Sequence, residues 1–488
     1  MAQPSQHKDK QDDLLDDGVP LASAAVGEAE AEEALEVPQT DVHLSRAFIE
    51  ELLEALKDSD SERVQTLFGE VHAADVADVL EILPTARRVK LIELLGDQLD
   101  PDVLTEVEGE AQDDLYEHMP NDQIAEAVTE LEIDDAVYVI EELEDADRAE
   151  VMQALDSDDR AAIEENLSYP EDSAGRLMQR ELVALPEFWT VGQTIDFLRS
   201  DNDEIPEDFY DIFIVDPSHR PVGTLPVSRL MRTKRPSTVA EIMDTEPFLI
   251  NVNMDQEEAA YQFTKYHLIS SGVVDENGRL VGVITVDDVV DVIDEEAEED
   301  IFALAGVGEE SGLNENFIEI TRSRFVWLTV NLGTAILAST VIGLFDASIE
   351  QMVALAVLMP IVASMGGNAG TQTMTVAVRA IATKELSSTN ALRVMMRELM
   401  AASLNGLLLA LLSGVVAYVW FGGAVLALIF ATAMIVNIFV AGLSGMAVPM
   451  LLHKLGVDPA IASSVFVTTI TDVVGFFAFL GLAYTLLL

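Results

Sequence analysis

The chain has 488 residues, with 27 Lys and Arg against 87 Asp and Glu, a formal net charge of −60 and no Cys. That balance repels nucleic acid and anionic lipid and favours cations as partners. Without thiols, disulfides and thiolate metal sites are excluded, so any metal must be held by oxygen or His.

Residues 1–40 are acidic and Ala-rich without periodicity, which predicts a disordered lead-in. Met1–Asp17 is polar and no apolar core follows it, so no signal peptide is expected. From Leu83 to Leu167 an apolar residue recurs every twelve positions: Leu83, Leu95, Val107, Met119, Leu131, Leu143, Leu155 and Leu167. Turn-type segments such as LPTARR, MPNDQI, LEIDDA and LDSDDR keep the same spacing. Short helices joined by tight turns at constant spacing stack into a superhelix, predicted over residues 41–167.

After residue 174 strand runs alternate with helices. The segments 210–231 and 271–293 resemble each other: an apolar strand, a turn built on Asp with Pro or Gly, a second strand containing Val-Gly, then a helix opened by Ser228 or Asp287. The repeat resembles a tandem pair of cystathionine-β-synthase (CBS) domains, βαββα modules that often hold adenine nucleotides, here over 174–240 and 241–293. Next comes a connecting segment over 294–320. Between Asp287 and Asp300 stand nine acids in fourteen residues: Asp287, Asp288, Asp291, Asp294, Glu295, Glu296, Glu298, Glu299 and Asp300. Like charges three or four apart on a helix destabilise it by ~0.2–0.5 kcal/mol per pair. A solvated acidic face would account for such a run, as would a salt-rich cytoplasm. Its position, linking a sensing-type domain to the first membrane span, instead suggests acids that divalent cations bridge.

Residues 321–488 hold only seven bases and six acids, and five apolar stretches there are long enough to span a bilayer: about 325–345, 352–381, 394–421, 424–452 and 458–486. Arg322, Arg324, Arg379, Lys384, Arg393, Arg397 and Lys454 flank one set of ends, which predicts a cytoplasmic N-terminal part and an extracytoplasmic C-terminus. In the second stretch Pro360, Gly366, Gly367 and Gly370 are expected to weaken or break the helix near mid-membrane. Asn331, Asn368, Gln372, Asn405 and Asn437 add amides whose simplest role is hydrogen bonding between helices. Asp472 stands deep in the last stretch, after Thr468, Thr469 and Thr471. A carboxylate there costs roughly 2.5–3.5 kcal/mol on insertion scales, so it is expected to face a polar path or a cation. In a symmetric dimer two such carboxylates would repel and call for a cation between them, and oxygen ligands suit Mg2+ or Ca2+. No GxxxxGK[ST] phosphate loop is present, and no ATPase or other enzyme is expected.

The order of helical superhelix, CBS pair, acidic helix and five spans resembles the MgtE family of magnesium transporters over residues 41–488. The motifs that carry the resemblance are PIVASMGGNAGTQ with VRAIAT, GVDPA, and TTITDVVG around Asp472. The resemblance implies a homodimeric Mg2+-selective channel in the plasma membrane whose pore is lined by the second and fifth spans, with Asp472 as its carboxylate. Gly366, Gly367, Asn368, Ser464 and Thr468 are the matching pore-lining candidates. It implies too that cytosolic Mg2+ closes the channel by bridging the helical domain, the CBS pair and the connecting, or plug, helix. Asp288, Asp291, Glu296, Glu299 and Asp300 match the sensor acids by position, and Asp134 matches one in the helical domain. ATP at the CBS pair is a further expectation. Two departures stand out: Ser464-Val465 replaces a small or amide residue followed by Pro, and HLISSGVVDE lacks the Pro usual before VVDE. Two other readings remain at this stage: a membrane-anchored CBS nucleotide sensor without transport, and a transporter of Co2+ or Mn2+.

Overall fold

The structure is a computed structural model, and it describes residues 45–69, 71–200, 205–206, 209–307, 317–387 and 389–487. The predicted disordered segment 1–40 and part of the predicted connecting segment (308–316) lie outside the described residues.

The helical domain comprises α1 (Arg46–Asp58), α2 (Ser61–Phe68), α3 (Ala73–Ile82), α4 (Thr85–Leu95), α5 (Val103–Glu106), α6 (Gly109–His118), α7 (Asn121–Glu130), α8 (Ile133–Glu142), α9 (Asp145–Ala154) and α10 (Ser157–Asn166). The twelve-residue repeat has a simple origin. From α6 onward each helix is ten residues long and each link two, and Val107, Met119, Leu131, Leu143, Leu155 and Leu167 are the residues that end α5 to α10. All but Leu167 are buried, so every link is pinned to one continuous core. Helix ends leave carbonyls without intrahelical donors. Three arginines, each five residues after a repeat position, reach back to supply them. Arg88 donates to the Leu80 and Leu83 carbonyls (2.8 and 3.0 Å), and Arg160 to those of Met152 and Leu155 (2.6 and 2.7 Å). Arg148 bonds the carbonyls of Glu141 and Leu143. Arg88 is itself buried and pairs with Asp114 at 2.5 Å.

The next domain holds β1 (Ala184–Pro186), α11 (Val191–Leu198), β2 (Asp211–Val215), β3 (Pro221–Pro226) and α12 (Val227–Arg232). A second unit follows with β4 (Leu249–Asn251), α13 (Gln256–Tyr266), β5 (Ser270–Val274), β6 (Leu280–Thr285) and α14 (Val286–Ala305). Each sheet has its middle strand parallel to the first and antiparallel to the third, and both break register at the same place. The units also exchange their lead-in segments. Gln179 pairs with Val283 on β6, and Asp244 pairs with Thr224 on β3. Gly223 and Gly282 permit that exchange, because a Cβ on either would meet a backbone oxygen at 2.6 Å. The helices after β3 and β6 open one residue earlier than the sequence suggested, at Val227 and Val286. Thr285 caps α14, its hydroxyl and amide donating to Asp288 at 2.7 and 3.3 Å. The CBS-type helix and the acidic connecting run form this one helix, so the boundary drawn at residue 293 falls inside it.

The remaining helices are α15 (Phe317–Gly343), the short α16 (Asp346–Gln351), α17 (Val353–Ala382), α18 (Ala391–Phe421), α19 (Ala424–Lys454) and α20 (Pro459–Leu486). Among the described residues, five helices are long and apolar enough to cross a membrane. Arg393 and Arg397, among the bases that flank the spans, occupy the first two turns of α18. The expected break in the second span is absent: α17 runs unbroken through Pro360 and the glycines. Those glycines are notches for close packing. A Cβ on Gly370 would meet Val467 of α20 at 2.6 Å, and one on Gly445 of α19 would meet the Gly370 carbonyl at 2.7 Å. Helices that approach this closely protect one another's backbone, so the small residues strengthen the packing where a break was expected.

An acidic connecting helix and a polar membrane seam

The first turns of α14 face the helical domain. At the N-terminus of α8, Glu132, Asp134 and Asp135 each place a carboxylate oxygen within 4.8 Å of the others. Burial, then Asp288, pushes Asp134 well above the usual carboxylate range. Its Oδ1 is buried without a hydrogen-bond partner among the described residues. Asp135 is pushed up to about 7 by burial and then Asp288, and Glu132 to about 7 by burial, Asp135 and Asp288. Asp288 is itself raised by burial, against the bonds from Thr285. Burial and then Asp291 raise Glu106 on α5. Carboxylates from two domains are thus apposed, and none of these six forms an ion pair with Lys or Arg among the described residues. Their mutual repulsion favours protons or cations that neutralise them. An all-oxygen donor set suits a hard divalent cation.

Of the acids picked out by sequence, Asp134 and Asp288 meet here, with Asp291 one turn further along α14. Glu132 and Asp135 were missed because LEIDDA reads as a turn between repeats; three acids opening a helix on that turn were the available signal. Glu296 lies midway along α14 and accepts from Gln256 Nε2 at 2.9 Å. Burial and then Glu296 push Glu257 on α13 to about 7. Glu299 is half-buried on the same helix. Burial and then Asp458, the residue that caps α20, raise Asp300.

The last turn of α14 enters the membrane domain. Ala303 is buried with Leu304 against Met374 and Val378 of α17, Val448 of α19, and Ala460, Ile461 and Val467 of α20. At ~1.5 Å per residue, the twenty-residue helix runs about 30 Å from the acid cluster to these helix ends. A second contact joins the two halves. Lys384, two residues beyond α17, pairs with Glu258 of α13 and lies 4.6 Å from the Tyr261 ring centroid, with its backbone left-handed at φ 54°.

In the membrane domain α17 and α20 meet along a polar seam. A Cβ on Gly367 would touch Thr468 at 4.0 Å, and Thr471 is fully buried beside Gly370. Gly366 is buried against Asn437 of α19. Asp472, four residues after Thr468 and so on the same face of α20, is half-buried and has neither an ion pair nor a hydrogen bond among the described residues. Ser464 contributes its backbone carbonyl to the Thr468 hydroxyl at 2.8 Å. Asn368 is exposed, and with Ser364, Thr371 and Thr375 it forms an exposed stripe at spacings of four, three and four along α17. Sequence reading missed those three hydroxyls, although their helical spacing within an apolar span was visible. Polar side chains exposed at membrane depth face protein or water rather than lipid.

Five spans, an oxygen-bearing seam with an unpaired carboxylate, and an acidic helix joining that seam to paired CBS units define a membrane transporter for a hard cation. Comparison with known proteins agrees. The family described as divalent cation transporter (MgtE) matches residues 359–482, the MgtE intracellular N domain 71–172, and the CBS domain 239–295. Magnesium transporter MgtE of Bacillus subtilis is 30% identical over 428 residues, 88% of this chain and 95% of the relative. That of Thermus thermophilus is 33% identical over 454 residues, covering 89% and 98%. A solved structure, the cytosolic domain of the Mg2+ channel MgtE in complex with ATP, is 33% identical, covers 50% of this chain and 98% of that one, and superposes with a TM-score of 0.46. The chain belongs to the MgtE family of magnesium transporters. It is therefore a multi-pass membrane transporter and not an enzyme, and the reading as a sensor without transport is set aside.

The acid cluster has a consequence that can be measured in the full chain. Acids raised in the docked state bind more protons there than when the domains part, so docking weakens as pH rises from the ordinary carboxylate range near 4 through about 7. In metal-free buffer, label pairs across α8 and α14, placed in a chain with no Cys of its own, should separate as pH rises from ~5 to ~8. Divalent cation should remove that dependence; separation that ignores both pH and cation would show the cluster to be inert.

Proposed function

We propose that the protein is a homodimeric channel that passes hydrated Mg2+ along the α17–α20 seam past Asp472. Internal Mg2+ closes it by bridging Asp134, Glu132 and Asp135 to Asp288 and Asp291, and further ions engage Glu296, Glu299 and Asp300. The observation that carries this reading is α14 itself, with one end among the facing carboxylates and the other packed on the ends of α17, α19 and α20. The N-terminal domains lie on the cytoplasmic side, where Arg322, Arg379, Lys384, Arg393, Arg397 and Lys454 gather. The inside-negative potential then drives entry, worth ~2.3 kcal/mol per charge per 100 mV and about twice that for a divalent ion.

The cleft between the CBS-type units, a cavity of about 290 Å³ lined by Arg180, His219, Phe197 and apolar side chains, supplies a cation and an aromatic face for an adenine nucleotide such as ATP. Uptake into proteoliposomes with internal Mg2+ varied tests the main reading. Uptake should proceed at low internal Mg2+, stop at millimolar internal Mg2+, and be blocked by inert hexaammine complexes that imitate the hydrated ion. Equal Co2+ or Mn2+ uptake without such block would replace Mg2+ as the cargo, and uptake indifferent to internal Mg2+ would remove the control.

A further inference from the structure

Asn437 stands near the middle of α19 with no exposed surface. Its Nδ2 donates to the Val362 carbonyl on α17 at 2.8 Å, while its Oδ1 is buried and receives no hydrogen bond among the described residues. The amide lies between glycines of two other helices. A Cβ on Gly366 of α17 would come within 2.2 Å of Nδ2, and one on Gly475 of α20 within 2.7 Å. Three helices are therefore keyed to one side chain. Gly366 precedes Gly367, which faces Thr468, and Gly475 follows Asp472 by three residues, within one helical turn.

An apolar side chain would pack three membrane helices without leaving a buried oxygen unbonded, which costs free energy. The cost is accepted at the level of the seam. We infer that Asn437 is a positioning residue for cation passage: by holding Gly366 and Gly475 at one height, it sets Asp472 against the polar stripe of α17. Asn437 does not touch the ion in this account. The inference rests on the seam being the path.

The test uses the full chain in proteoliposomes, with Asn437→Ala, Gly366→Ala and the double variant. Asn437→Ala should raise the half-saturating external Mg2+ about tenfold and reduce discrimination against Ca2+, with maximal flux changed much less. Gly366→Ala alone should be unstable, since its methyl has no room beside the amide. In the double variant the methyl enters the vacated space, so thermal stability should return while half-saturation and discrimination stay impaired. If the double variant regains both stability and wild-type half-saturation, the amide is only a filler and the inference is overturned. Wild-type half-saturation in Asn437→Ala overturns it as well. Should the Ala variants not assemble, Asn437→Ser, which keeps a donor for Val362, replaces them with the same two readouts. Failure of the seam reading is separate: flux that survives Asp472→Ala removes the path whatever Asn437 does.

Discussion

Asp472→Ala is expected to abolish Mg2+ uptake into proteoliposomes while the protein still folds and assembles. At ~4 Å a carboxylate and a divalent ion attract by about 2 kcal/mol even at the dielectric constant of water, and by about 8 kcal/mol at an effective value near 20. The seam lies between those limits, so flux should fall at least about a hundredfold, equivalent to ~2.8 kcal/mol. Folding should not suffer, because Asp472 has no ion pair to lose among the described residues and its charge costs insertion energy. Asp472→Asn separates charge from shape, and it should be nearly as inactive. Undiminished flux in either variant would sink the assignment of the α17–α20 seam as the path.

Neutralising Asp288, Asp291, Glu296 and Glu299 together, as Asn and Gln, should leave the channel conducting at millimolar internal Mg2+. The helix would keep its length and its apolar last turn, so what changes is the need for cations along it. Without those four charges the facing acids no longer demand a bridging ion. Internal Mg2+ then gains little by binding, and the concentration that closes the channel should rise more than about tenfold. Flux at very low internal Mg2+ should match the unaltered protein, which shows that conduction itself is intact. Asp134→Asn, acting from the opposing domain, should produce a smaller shift in the same direction. Closure unchanged in the fourfold variant would reduce the acidic run to a solvated face.

Much of this architecture is legible in the sequence. The twelve-residue recurrence was visible because ten-residue helices and two-residue links leave an apolar residue at every turn, and the two Val-Gly hairpins announced their own duplication. The five spans follow from length and hydropathy. What escaped sequence reading depends on partners distant in the chain. Glycines at 366, 367 and 370 look like helix breakers until α19 and α20 are placed against them. Asp135 reads as a turn residue until Asp288, more than 150 positions later, is brought opposite. Arg88, Arg148 and Arg160 share an offset of five from the apolar repeat, yet a surface Arg and one that closes the preceding helix look alike in one dimension. Asn437 is one of several intramembrane amides in the sequence, and only its place between two glycines singles it out.

The Lys384 contact constrains how the molecule can move. A body joined to another at a single helix can swing in any direction about that joint, but one joined at two separate points can only turn about the line through them. The CBS units meet the membrane helices at the end of α14 and again through Glu258, Tyr261 and Lys384 beside the end of α17. With both contacts made, any relative motion of the CBS units and the membrane helices reduces to a hinge about the single axis through the end of α14 and Lys384, and a motion of any other kind has first to release Lys384.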